Sequence, residues 1–375
     1  MSDQSDQSDM SNASERNPNP MPTMTMRQRM LALVQGRQHD RVPFVQYSGI
    51  AAPNEEVWAE IGRDNMGLLQ WTGIHSEAHP NCRMVAEDIA KGERRGTRTR
   101  LLTPAGELTE ERFYTPTLGS AAIHKHFVVE PEDYRVLTAF MRDTVIAPNH
   151  EQVLAVREQL GDDGLPLVSV GRTPYQQLWV QWVSLEDLSC HLVDCPEVVH
   201  ECTDEMGRVL RDIFACARTA PLDMIDVADN ITAPTLGVAN FLKYCVPFYD
   251  ELADMLSDRD IPVFVHMDGD LKPLWKAIGE SKVRGIDSFS PTPDNDTSVG
   301  EAARLWPEMR LWVNFPSSVH ARKPEVIYAQ TAKMLEEAGD TGRLQIQVSE
   351  NPPPGAWRVS YPEIVRALAD FSAST

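Results

Sequence analysis

Residues 261–291 read IPVFVHMDGDLKPLWKAIGESKVRGIDSFSP, and this stretch decides the fold. It opens on a short apolar run and ends it at Gly269. A segment with helical spacing of apolar residues follows. A second short apolar run, GIDSFSP, closes it. A strand, a helix and another strand in that order imply parallel pairing and a right-handed crossover. The unit recurs from residue 150 onward, with strands at LPLVSVG (165–171), MIDVADN (224–230), LWVNFP (311–316) and LQIQVSEN (344–351). The helices between them carry the 3.6-residue period, as in PEVIYAQTAKMLEEAG. Two earlier strands, HDRVPFVQY and MGLLQW, bring the count to eight. Eight favours a closed α/β barrel, the (β/α)8 TIM barrel, over an open sheet. No dinucleotide GxGxxG and no GxxxxGK[ST] phosphate loop occurs.

Two segments stand outside the repeat. Residues 25–36, TMRQRMLALVQG, form an opening helix with Thr25 as N-cap and Gly36 as the stop. The stretch TRLLTPAGELTEERFYTP has two alternating runs around a Pro-Ala-Gly turn, and AAIHKHFVV follows as a partner strand. A β-hairpin arm is expected at about 97–130, within a single domain spanning 23–375.

The 375 residues carry 35 Lys and Arg against 55 Asp and Glu, a net charge of −20. That excess opposes nucleic acid and anionic membranes, which need a basic surplus. No run approaches the ~18 apolar residues of a spanning helix. The N-terminus, MSDQSDQSDMSNASERNPNP, lacks the apolar region of a signal peptide. Residues 1–22 are expected to be a disordered acidic tail. Six cysteines without a CxxC suit a reduced, cytoplasmic protein.

Barrel active sites form at the C-terminal ends of the strands. Those ends hold Tyr47, Trp71, His75, Arg172, Tyr175, Asp226, Asp229, Asn230, His266, Asp268, Ser288, Ser290, Asn314, Ser349 and Glu350. His266 and Asp268 are the most informative pair. Side chains two apart on a strand share a side. Together they can bind a divalent metal, act as an acid–base pair, or form an oriented hydrogen bond. Glu350 can add a third oxygen ligand, serve as a base, or cap the next helix. Asp229, nearer its strand end than Asp226, is the better site candidate of the two. Tyr175 can move a proton or simply pack. His124 and His126, on the arm, share a side but are not at a barrel end.

These residues resemble the uroporphyrinogen decarboxylase superfamily, which includes corrinoid-linked methyltransferases. The resemblance spans residues 24–372 and rests on the order of several segments. They are TMRQRMLALVQGRQHDRVPF, TPAGELTEERFYTP, KYCVPFYDELADML, VFVHMDG, GIDSFSPTPDNDTSVGEAARLWPEMRLWVNFP and QVSENPPPG. It implies a (β/α)8 barrel. The decarboxylase holds its porphyrin carboxylates with an Arg-bearing segment after the first strand. Here that segment is QYSGIAAPNEE, with no Arg before Arg63. The methyltransferase branch binds zinc through His-x-Cys and a later Cys. Here His266 and Asp268 take the first two places, and the later place falls at Ser349 or Glu350. A His, Asp and Glu set is harder than one with thiolates and favours Lewis-acid activation of oxygen.

The resemblance therefore implies a methyltransferase, or demethylase. It would move a methyl group from an ether-like or amine-like small molecule to a corrinoid. Zinc would be held by His266, Asp268 and Glu350. Asp229, Tyr175 and His75 would handle protons and orient the substrate. Tyr47, Trp71, Arg172, Asn230 and Asn314 would line its pocket. The expected partners are a small methylated substrate and a corrinoid protein, and a homodimer is allowed. Two alternatives stay open. One is a decarboxylase of a small aromatic acid, with Asp229 as proton donor and Arg172 on the carboxylate. The other is a non-catalytic ligand-binding relative.

Overall fold

The computed structural model describes residues 23–116, 120–339 and 341–374. The tail expected at residues 1–22 lies outside them.

Eight parallel strands form one sheet. They are β1 (Phe44–Tyr47), β2 (Gly67–Thr72), β3 (Gly164–Val168), β4 (Ile225–Val227), β5 (Val263–His266), β6 (Gly285–Phe289), β7 (Arg310–Asn314) and β8 (Leu344–Val348). The order is β4-β5-β6-β7-β8-β1-β2-β3. A parallel bridge between Ser169 and Asp226 joins the two ends, closing the barrel. Every strand anticipated from the apolar runs is present, and most are shorter than the runs: Ile225–Val227 ends three residues before the run 224–230 does, and Phe44–Tyr47 begins well inside HDRVPFVQY.

The period of two sorts each strand into an inner and an outer row. The inner row supplies a buried layer of Val45, Leu69, Leu165, Leu167, Met224, Phe264 and Trp312. Phe264 and Trp312 fill its centre, with ring centroids 4.5 Å apart. The helix α1 (Met26–Val34) packs Met26, Met30, Leu33 and Val34 onto this layer from the N-terminal end. Its start is fixed by a capping box in which Thr25 accepts from the Gln28 amide at 3.3 Å.

Gly285 makes room for the central pair. A Cβ added there would lie 2.2 Å from the Phe264 ring. Gly285→Ala is therefore expected to cost about 1–3 kcal/mol through overpacking. A lowered urea midpoint with an unchanged slope is the result to look for. An unchanged midpoint would show that Phe264 can move aside.

The arm differs from the expectation. It begins earlier and has four antiparallel strands: Arg83–Lys91, Arg94–Thr103, Gly106–Thr115 and Ser120–Lys125. It thus spans residues 83–125 rather than about 97–130. Its first strand is exposed along almost its whole length, so it carries no apolar alternation to reveal it. The turn into the second strand uses Gly92 at φ +64°, a conformation glycine adopts freely. A further two-stranded sheet pairs His75–Ala78 with Val145–Pro148. Among the described residues no helix is long and apolar enough to cross a membrane.

Candidate active site

The inner row that carries the apolar layer turns polar toward the C-terminal ends of the strands. Tyr47 follows Val45, Trp71 follows Leu69, and Asp226 follows Met224. His266 follows Phe264, Asn314 follows Trp312, and Gln347 follows Gln345. Asp287 takes the corresponding place above Gly285. The register pairs His266 with Asp287 across β5 and β6.

His266 is the centre of this ring. Its Nδ1 lies 2.9 Å from Asp287 Oδ2, and its Nε2 lies 3.6 Å from Asp268 Oδ2. The imidazole is 16% exposed and Asp268 29%, so both reach the mouth. Asp287 is fully buried. It also accepts from the Tyr47 hydroxyl and, at 3.0 Å, from Gln347 Nε2. Three donors thus hold one carboxylate, which in turn fixes the ring. Burial favours the neutral imidazole. Hydrogen bonds and charge from Asp268 and Asp287 outweigh that and lift His266 to about 10. Burial likewise favours neutral Asp268, but its contact with His266 holds it below the usual carboxylate range. Burial, reinforced by the charge of Asp287, pushes the Tyr47 phenol well up.

Two neighbours complete the inner ring. Asp226 is buried, and neither oxygen has a hydrogen-bond partner among the described residues. Burial and the charge of Asp287 raise its pKa well above the ordinary value. Ser288 sits at φ +55°, where β6 shifts register against β7. Its hydroxyl donates to Ser349 Oγ at 2.7 Å and accepts from Gln347 Nε2 at 3.2 Å. A non-glycine residue held in the left-handed region beside a polar cluster is a feature of functional sites.

The residues singled out from the sequence divide into three groups. One joins the centre. Arg172 Nη2 donates to Asn230 Oδ1 at 3.0 Å, and Asn230 Nδ2 donates to Asp268 Oδ2 at 3.3 Å. Trp71 packs edge-on to Tyr47 at 5.5 Å. A second group holds the scaffold. Asp229 is fully buried and accepts from the Thr173 amide and hydroxyl, each at 2.8 Å, and from the Tyr249 hydroxyl at 2.6 Å. Its hydrogen bonds join the segment after β3 to the helix Val246–Leu256. Both carboxylate oxygens are thus engaged by donors of the scaffold. Tyr175 stacks on Tyr244 at 5.0 Å. Asn314 accepts from the Ser349 amide and hydroxyl, tying β7 to β8. The third group sits on other segments. His75 belongs to the separate two-stranded sheet, and burial lowers its pKa. Glu350 is exposed and accepts from Ser317.

The expected ligand set is therefore split. His266 and Asp268 are together; Glu350 is not with them. The alternative position, Ser349, is engaged with Ser288 and Asn314. Among the described residues no group of three or more His, Cys, Asp or Glu side chains is arranged to hold a metal ion. The inner-ring residues Asp287 and Gln347 were not singled out from the sequence, and Asp226 was ranked below Asp229. Their signal was a polar residue inside a buried run, on the inner parity.

A closed parallel barrel with a polar, partly open ring at the C-terminal mouth is the architecture of a barrel enzyme. Residues 112–346 match the family model for uroporphyrinogen decarboxylase (URO-D), and the chain belongs to that family. The match includes His266, Asp268 and Asp287. No curated protein matches the sequence. Among solved structures, a methyltransferase from Methanosarcina mazei aligns with a TM-score of 0.54 at 14% identity, covering 94% of this chain and 99% of that one. A B12-independent methionine synthase from Shewanella sp. W3-18-1, in complex with selenomethionine, aligns with a TM-score of 0.39 at 9% identity, over 79% and 76% of the two chains. The first is a likeness of fold; the second is too slight to argue from.

Proposed function

We propose that this chain is a methyltransferase that demethylates a small ether-like or amine-like molecule at the mouth of its barrel. The observation that carries the reading is the imidazole of His266, anchored at Nδ1 by buried Asp287 with Nε2 facing the mouth beside Asp268. The methyl acceptor is a co-substrate, and a reduced corrinoid is the class the family resemblance implies.

The chain's residues then act on the leaving group. When the acceptor's electron pair bonds the methyl carbon, the pair of the carbon–heteroatom bond passes to oxygen or nitrogen. His266 Nε2 delivers a proton there, and the product leaves as an alcohol or amine. Asp287 keeps the ring oriented and stabilises the imidazolium. Arg172 and Asn230 orient a polar end of the substrate, and Trp71 and Tyr47 wall the pocket. Zinc does not fit this reading. A catalytic zinc keeps three protein ligands, and the donor set here stops at His266 and Asp268. No step is routed through it.

One observation favours a second reading. Arg172 Nε is buried without a partner among the described residues, which suits a substrate carboxylate. In that case the substrate would lose carbon dioxide, and His266 would protonate the carbon left behind. Asp229, with its oxygens engaged by three donors, is poorly placed for the role first expected of it.

The test is a screen of methoxylated aromatics, methylamines and aromatic acids with cob(I)alamin, scored for methylcobalamin and for carbon dioxide. Methylcobalamin formed by EDTA-dialysed protein is the expected result. Carbon dioxide without methylcobalamin would move the assignment to the second reading. Activity that disappears with EDTA and returns with zinc would overturn the metal-independent chemistry.

A further inference from the structure

The opposite end of the barrel carries an unusual arrangement of charge. Three arginines stand side by side at the N-terminal ends of adjacent strands. Arg284 precedes β6, Arg310 begins β7, and Arg343 precedes β8. Backbone hydrogen bonds fix the alignment: the Arg310 amide donates to Arg284 O, and the Leu311 amide donates to Arg343 O, each at 2.9 Å. Like charges on neighbouring strands repel. In a chain of net charge −20, carboxylates to pair them are plentiful. Yet among the described residues none of the three has a carboxylate within ion-pair distance. Their side-chain hydrogen bonds run to main-chain carbonyls: Arg343 Nη1 to Trp306 O and Met309 O, Arg310 Nη1 to Glu308 O, and Arg284 Nη1 to Val283 O. Arg310 Nε is buried and has no hydrogen-bond partner among the described residues.

A cavity of about 550 Å³ opens over Arg310 and Arg343, with Arg37 and Arg41 also on its wall. Two carboxylates line it as well, Asp40 and Glu308. Asp40 is committed to Arg29, at 2.6 and 2.8 Å. A second cavity of about 350 Å³ shares Arg310 and extends to Arg284. Gly36 at φ +66° leaves space for the guanidinium, since a Cβ there would lie 2.8 Å from Arg310 Nη2. Burial, with the charges of Arg284 and Arg343, depresses the Arg310 pKa more than Glu308 and Asp260 raise it; a bound anion would reverse that stress. The volumes suit a small ligand, and the guanidinium fork matches tetrahedral oxyanions.

We propose that the N-terminal end of the barrel is a second binding site, for a small molecule bearing phosphate, held by Arg310 and Arg343 with Arg37 at the rim. The apolar layer around Phe264 and Trp312 separates it from the mouth, so it is independent of the chemistry there.

Titration calorimetry of the full chain at constant ionic strength tests this, with pyrophosphate, inorganic phosphate and citrate as probes. Saturable binding of the two phosphates is expected. Arg310→Gln and Arg343→Gln should each weaken pyrophosphate roughly tenfold or more. Arg37→Glu changes an exposed residue and should weaken binding without altering the unfolding midpoint, which keeps the test open if the half-buried variants misfold. His266→Ala should bind as the wild type does. Absence of saturable binding, affinity untouched by the arginine changes, or citrate binding as tightly as pyrophosphate would each overturn the proposal.

Discussion

Replacing His266 with Ala should lower turnover by about 10²–10⁴-fold, the usual loss for a positioned proton donor, while the barrel stays folded. The ring packs no apolar layer; it sits above Phe264 with its edge in solvent. Its removal leaves Asp287 with two donors, Tyr47 and Gln347, so the buried charge keeps partners. Asp287→Asn should reduce turnover through the same ring, because an amide orients His266 without stabilising its charge. A control separates chemistry from structure. The imidazole's pKa is about 10 in the folded chain against ~6.5 when unfolded. Its protonation therefore stabilises the fold in full below ~6.5, and that contribution is lost as pH rises through 10. The stability difference between wild type and His266→Ala should shrink across that window. A constant difference, or wild-type turnover in the variant, would remove His266 from the centre of the site.

The barrel was legible because each of its strands is a short apolar run set off by helices of a different period. That signal belongs to burial on both faces. The arm's first strand, RMVAEDIAK, lacks it, being exposed along nearly its whole length. The site was legible only in part. Reading strand ends found His266, Asp268, Arg172 and Asn230, but it undervalued parity. Asp226 shares the inner row with Met224, whereas Asp229 lies past the end of β4. Asp287 and Gln347 lie within their strands, where a list of strand ends omits or passes over them. The partners of Asp229 were not readable at all. Thr173 and Tyr249 are 56 and 20 residues away in sequence, and no local pattern encodes that meeting. Glu350 was placed by adjacency to the last strand, but the backbone after β8 carries it outward to Ser317.

Asp229→Ala should destabilise the fold by about 2–5 kcal/mol, because it leaves several buried donors without their acceptor. Truncation strands the Thr173 amide, the Thr173 hydroxyl and the Tyr249 hydroxyl in a site where all three residues are fully buried. Each lost partner costs about 1–3 kcal/mol, and the costs overlap because the donors share one carboxylate. Burial raises the Asp229 pKa more than Tyr249 and Thr173 lower it, so the carboxylate is held there at some expense. Tyr249→Phe removes one of the three donors and should cost less than the truncation. Asp226 provides the contrast. Its oxygens have no partner among the described residues, so Asp226→Asn loses no hydrogen bond seen there and should unfold at or above the wild-type urea midpoint. Comparing the midpoints of these variants distinguishes a scaffold carboxylate from a merely buried one. Should Asp229→Ala unfold at the wild-type midpoint yet lose turnover, the hydrogen bonds would not be what Asp229 is kept for, and it would return to the proton-handling role the sequence suggested.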